Sequence, residues 1–194
     1  MTLKKFSILA IIIIAVFSIT ILAIRSWKEP RTALPDYGGN FTLQSEQGPV
    51  SLSDFRGKAV ILYFGYTRCP DVCPLSLSIV GQAIRQLPLP QQESVHGIFV
   101  SVDPDRDSLK YLKTYSAFFS EHITGVTGDK YQVDKTIQQY GAFYRFVEIK
   151  DSAMGYSVDH SALLYLIDKK GELVKTLPHN INPDLLTNEI KNLL

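Results

Sequence analysis

Strand-like and helix-like segments alternate through residues 41–194, which predicts an α/β fold: a mixed sheet flanked by helices on both sides. Three observations carry this expectation. Residues 59–66 are almost continuously apolar, as a strand buried on both faces requires. Ile79, Val80, Ala83, Ile84 and Leu87 recur at helical spacing. Residues 162–167 and 172–177 flank Asp168-Lys169-Lys170-Gly171, a hairpin with a glycine-containing turn.

The remaining elements follow in order. Residues 41–43 and 50–52 bracket a polar turn and read as a short hairpin, and residues 54–57 turn the chain into the apolar strand. Pro88 and Pro90 stop the first helix, and residues 95–102 form the next strand. Leu109, Leu112, Tyr115 and Phe118 mark a second helix over 108–118. A short strand then precedes a third helix over 130–140, with Gly141 as its C-terminal cap. Residues 143–149 are strand-like. Asn182 caps the last helix, with Pro183 at its first position and Leu185, Leu186, Ile190 and Leu193 facing inward. No internal repeat or second globular domain interrupts this order.

Ahead of the domain, residues 6–24 form an uncharged run of 19 residues, long enough to cross a hydrocarbon core as a helix. A cleaved signal has a shorter apolar stretch and a small-x-small site, and Ala23-Ile24-Arg25 fits that badly. No cysteine ends the run, so lipid modification there is excluded. The expected layout is a tail at 1–5, a transmembrane anchor at 6–24, a Pro- and Gly-containing linker at 25–40 and one domain at 41–194. Lys4 and Lys5 before the run and Arg25, Lys28 and Arg31 after it leave orientation undecided by charge. Cysteine usage favours an exported domain. From Glu29 on, 16 basic residues face 19 acidic ones without clustering, which excludes a nucleic-acid partner.

The only two cysteines lie together in Cys69-Pro70-Asp71-Val72-Cys73-Pro74, where the apolar strand hands over to the first helix. Pro74 places Cys73 at or near the helix N-cap, where backbone N–H groups and the helix dipole favour a thiolate. A purely structural disulfide closing three residues gains little chain entropy. A soft metal ion or a redox-active disulfide remains. Of four histidines, His96, His122 and His179 sit where a solvated or satisfied ring is the ordinary outcome. His160, in Ser157-Val158-Asp159-His160-Ser161, precedes an apolar strand and so falls at a sheet edge, with Asp159 able to orient its ring. Two thiolates and one imidazole suit copper, and zinc with the same ligands needs a fourth.

Three segments together resemble the Sco/SenC family of copper chaperones: Cys69-Pro70-Asp71-Val72-Cys73-Pro74, Val102-Asp103-Pro104-Asp105-Arg106-Asp107 and Tyr156-Ser157-Val158-Asp159-His160-Ser161. The resemblance runs from about residue 36 to the C-terminus. It implies a thioredoxin-like fold with copper, as Cu(I) or Cu(II), on Cys69, Cys73 and His160, and a redox disulfide between Cys69 and Cys73. It also implies delivery to the binuclear copper centre of cytochrome c oxidase subunit II, with a copper donor protein and a thiol reductant as further partners. The expected place is the bacterial inner membrane, the domain on the periplasmic side. A thiol–disulfide oxidoreductase acting on the acceptor's cysteines is the alternative, and a peroxidase a more distant one.

Three lesser candidates accompany the trio. Asp71, between the cysteines, can tune thiolate charge or cap a turn. Met154 offers a thioether six residues before His160. Asp103, Asp105 and Asp107 invite a calcium reading, but Ser108 and Thr114 stand where an EF-hand loop needs Gly and Glu, so a strand-to-helix loop that is acidic at the helix N-terminus is expected instead.

Overall fold

A computed structural model of the chain describes residues 17–18, 37–150, 152 and 154–194. The expected anchor at 6–24 lies outside the described residues apart from Phe17 and Ser18, which are helical. Among the described residues no helix is long and apolar enough to cross a membrane.

The centre of the domain is β3 (Ala59–Gly65), every residue of which is buried. It pairs in parallel with β4 (Val95–Ser101), which pairs in parallel with β5 (Ile123–Val126). On its other edge it pairs antiparallel with β8 (Leu163–Ile167), and β8 with β9 (Leu173–Pro178), giving the order β5-β4-β3-β8-β9. The sheet is therefore mixed, as expected from the alternation of elements. The N-terminal hairpin, β1 (Thr42–Ser45) and β2 (Gly48–Ser51), joins it through a bridge between Gln44 and Thr127.

Side-chain alternation along β3 builds two cores. Tyr63 points to one face, where it lies parallel to Phe99, and Phe99 meets Tyr115. Phe64 points to the other, where its ring meets Tyr165 and Tyr140, and Tyr140 also touches Phe41. The first face is covered by α1 (Val72–Arg85), α3 (Leu109–Phe119) and α5 (Pro183–Lys191); α1 ends at Arg85, and Pro88 caps a single helical turn, α2 (Leu89–Gln92). On the second face Tyr140 closes α4 (Lys130–Gln139), which opens with an Asp129/Gln132 capping box. Asn182 caps α5 through the Asp184 N–H, as its sequence predicts.

Two segments differ from the sequence expectation. Residues 37–40, read as linker, are tied to the domain: the Gly38 N–H donates to Gln139 O, the Tyr140 hydroxyl to Gly39 O, and the Ser53 N–H to Asn40 Oδ1. The compact unit accordingly begins at Tyr37. Residues 156–160 are a strand, β7 (Tyr156–His160), which pairs antiparallel with β6 (Tyr144–Glu148) as a separate two-stranded sheet. Its Tyr-Ser-Val-Asp-His alternation carries a single aliphatic residue, too weak an apolar signal to stand out beside residues 162–167.

Close approach of α1 to the end of α3 depends on Gly81. A Cβ there would lie 2.4 Å from the Phe119 carbonyl oxygen, which also accepts from Arg85 Nη1. Gly81→Ala is expected to lower stability by about 1–3 kcal/mol, since two helices must part to admit it. The shift in the denaturant midpoint measures this, and an unchanged midpoint would show that the helices are not held at that distance.

Candidate metal centre

The strand-to-helix turn after β3 sets the two cysteines at different depths. Asp71, not Cys73, is the N-cap of α1, and Cys73 is the second residue of the helix. Its sulfur is fully buried against the end of β3, where Gly65 makes room: a Cβ on Gly65 would stand 2.6 Å from Cys73 Sγ. The Tyr63 hydroxyl donates toward the same sulfur at 3.8 Å. Cys69 lies one turn earlier in the loop and is only partly buried. The Cys73 backbone N–H donates to Cys69 Sγ at 3.4 Å, so the helix start serves the loop sulfur.

That geometry reverses the expected assignment of the thiolate. The Cys69 thiol is pushed down to about 3, chiefly because Cys73 S–H donates to it. His160 and the backbone N–H groups of Cys73 and Asp71 add to the effect, against a partial burial cost. Burial pushes the Cys73 thiol up, and the neighbouring Cys69 sulfur raises it further. The pair thus shares one proton, which stays on Cys73. The helix dipole favours a thiolate as predicted, but its beneficiary is Cys69.

His160 closes the site from the far end of the chain. Its Nε2 lies 3.3 Å from Cys73 Sγ, across 87 residues of sequence. Its Nδ1 faces the Ser161 carbonyl oxygen at 3.2 Å; a carbonyl only accepts, so Nδ1 carries a proton. The rings of Tyr63 and Tyr66 meet the imidazole edge-on, with centroids 6.1 and 5.9 Å away. Cys69, Cys73 and His160 together offer two sulfurs and one nitrogen, all within 4.8 Å of one another. No disulfide joins the two cysteines. A cleft of about 540 Å³ opens on Cys69 and His160 and is walled by Phe143, Val158, Arg145 and Asp159.

The remaining sequence candidates lie elsewhere. Asp159 faces the opposite side of β7 from His160, and its carboxylate pairs with Arg145 across the hairpin. The imidazole is oriented by Ser161 instead. Asp71 is exposed, makes no side-chain cap bond, and acts on Cys69 through its backbone N–H. Met154 lines a different cleft, beside Arg68, Arg106 and Tyr111.

The acidic run lies in the loop between β4 and α3, as expected, with Ser108 rather than an aspartate as the helix cap. Asp107 is buried and accepts from the Thr67 N–H, the Thr67 hydroxyl and the Ser101 hydroxyl, which fixes the loop carrying Cys69. Asp103 is equally buried and accepts from Arg106 and from the Tyr156 hydroxyl at the start of β7. Sequence reasoning missed both of these supports, and Gly65 with them. The signal available was a D-x-D-x-D run too irregular for a cation site and lying one strand away from the cysteines.

A mixed sheet between helices, with soft ligands gathered at a sheet end, places the chain in the class of metal-binding proteins on a thioredoxin-like frame. Residues 29–194 match the SCO1/SenC family model, and the chain belongs to that family. It is 36% identical over 157 residues to the mitochondrial SCO1 homolog 2 of Arabidopsis thaliana, a match spanning 80% of this chain and 56% of that one. The chain spans about half the length of such mitochondrial relatives. Among solved structures, copper-bound ScoI of Bradyrhizobium japonicum matches with a TM-score of 0.73 at 35% identity, covering 81% of this chain and 99% of that one. BsSco, a member of the Sco family of cytochrome c oxidase assembly proteins in which a disulfide switch was identified, shares the fold at 23% identity. Its TM-score is 0.62, with 81% and 94% of the two chains covered.

The depressed Cys69 pKa has a defined pH signature. Its stabilising effect is full above the ordinary thiol pKa and is lost as the pH falls toward about 3. In the reduced, metal-free protein, the ultraviolet absorbance of one thiolate is therefore expected to persist to about pH 5, well below the usual thiol range. Titration of that absorbance near the ordinary thiol pKa would contradict the shared-proton arrangement.

Proposed function

We propose that this protein is a membrane-anchored copper metallochaperone that holds copper on Cys69, Cys73 and His160. In this reading it delivers the ion to the binuclear copper centre of cytochrome c oxidase subunit II. The single observation that carries the reading is the convergence of two sulfurs and an imidazole nitrogen within 4.8 Å, from segments 87 residues apart. Soft thiolates select Cu(I), and imidazole accepts either valence, so the donor set suits a copper ion that changes hands. Family membership and a copper-bound relative support the same choice of metal.

Transfer follows from the different depths of the ligands. Cys69 and His160 face the cleft, where acceptor thiolates and imidazoles approach; Cys73 lies behind them and is the last to let go. Loading removes the proton shared by the two thiols. Joining Cys69 and Cys73 as a disulfide withdraws both thiolate donors and passes two electrons to an oxidant, and a thiol reductant restores the pair. Residues 6–24 supply the anchor in this reading, with the domain on the periplasmic side of a bacterial inner membrane.

A second reading, a thiol–disulfide oxidoreductase, is favoured by one observation: a partly exposed thiolate, Cys69, stands beside a buried partner able to resolve a mixed disulfide. Titrating the purified, reduced chain with Cu(I) and Cu(II) separates the two. Loss of either cysteine is expected to abolish stoichiometric binding. His160→Ala is expected to weaken Cu(II) by at least the roughly 10–100-fold that an outer-sphere partner is worth. Copper binding indifferent to His160→Ala, together with disulfide reduction that survives it, would favour the oxidoreductase.

A further inference from the structure

The inner face of β7 carries three side chains in a row, at alternate positions: Tyr156, Val158 and His160. Val158 is buried in the core, and His160 meets Cys73. Tyr156, at the opposite end of the strand, is held by a cluster centred on Arg106. The Arg106 guanidinium lies 3.6 Å from the centroid of the Tyr156 ring. Its Nη1 donates to the carbonyls of Tyr156, at 2.9 Å, and Met154, at 3.3 Å. Its Nε donates to Asp103, whose other carboxylate oxygen accepts the Tyr156 hydroxyl at 2.8 Å.

We propose that Arg106 is a positioning residue for the third metal ligand: it fixes the start of β7 and thereby sets the imidazole against the thiols. The inference rests on the reading of His160 as a ligand. The β6–β7 hairpin is not a strand of the main sheet, so ladder hydrogen bonds to β3 do not hold it in place. Its other polar ties to the body of the domain are the Val158 N–H on the Tyr66 hydroxyl and the Tyr144 hydroxyl on Asp134 beside Lys130, the latter half-exposed, where such bonds hold weakly. A strand is stiff over four residues, so a shift at Tyr156 is carried along to His160.

Arg106 is also an expensive group for this place. Its side chain is 12% exposed, and Nη2 is buried without a hydrogen-bond partner among the described residues. A buried guanidinium is a weak device for stability and a good one for geometry, because its planar fork and flat face fix several groups at once. Here they fix two carbonyls, one carboxylate and one aromatic ring, all beside the strand that ends in His160.

The test compares Arg106→Gln, Arg106→Lys, His160→Ala and the double variant R106Q/H160A in the full chain. In the reduced, metal-free protein, nuclear Overhauser contacts from the His160 ring to Tyr63 and Tyr66 are expected to vanish in Arg106→Gln. Its Cu(II) affinity should fall by about 10–100-fold, the usual effect of losing an outer-sphere support. Arg106→Lys keeps the Asp103 ion pair and should recover thermal stability without recovering Cu(II) affinity, since an ammonium lacks the planar fork. The double variant should bind Cu(II) no more weakly than His160→Ala alone, to within about twofold. Intact ring contacts with unchanged Cu(II) affinity in Arg106→Gln, or additive losses in the double variant, would overturn the proposal. Should Arg106→Gln fail to fold, Tyr156→Phe removes only the hydroxyl on Asp103; weakened His160 contacts support the proposal and unchanged ones overturn it. Wild-type Cu(II) binding by His160→Ala would instead sink the ligand reading, and the ring contacts would still decide the positioning.

Discussion

The site depends on one contact, Cys73 Sγ against His160 Nε2 at 3.3 Å. Neither atom reaches the other through local structure. Cys73 is brought inward because the loop of residues 66–71 turns the chain from β3 straight into α1, and Gly65 leaves its sulfur a place beside the strand. His160 arrives on a hairpin outside the main sheet. The Cys–Cys–His group therefore exists only when the packing around β3 is complete, so its geometry and the stability of the fold depend on the same residues.

Depth divides the two sulfurs into different chemical species. Burial keeps the proton on Cys73, while its S–H and backbone N–H hold Cys69 as a thiolate. In a dithiol with both groups in water the two protons are held alike; here burial disfavours charge on Cys73 while its neighbours favour it on Cys69. Full ionisation of Cys73 in its apolar setting needs a cation to compensate. The metal-free site is consequently a poor place for two negative charges and a suitable place for one metal ion.

Much of this was legible in the sequence. The apolar run of β3, the spacing of α1, the β8–β9 hairpin and the Asn182-Pro183 start of α5 follow from local rules, and the structure has them within a residue or two. The pair Cys69 and Cys73 stood out as the only cysteines, and His160 stood out among four histidines by its place before an apolar strand and by the string that resembles Sco/SenC. What escaped was the conformation of residues 156–160. Once that segment is a strand, neighbours point to opposite faces, so Asp159 cannot serve the imidazole beside it. The helix start was legible to within two residues: Pro74 is tolerated anywhere in the first turn, so it marks a helix start without fixing which residue caps it.

The acidic run between β4 and α3 explains how two distant segments are held in register. Asp107 grips Thr67 and so fixes the cysteine loop; Asp103, four residues earlier, grips Arg106 and Tyr156 and so fixes β7. Both carboxylates are buried, and both are consumed by hydrogen bonds to the segments they hold. A cation site would need those oxygens free and converging on one point; here they diverge toward opposite walls of the centre. Residues 103–107 thus act as a bracket whose two arms reach the thiols and the imidazole separately.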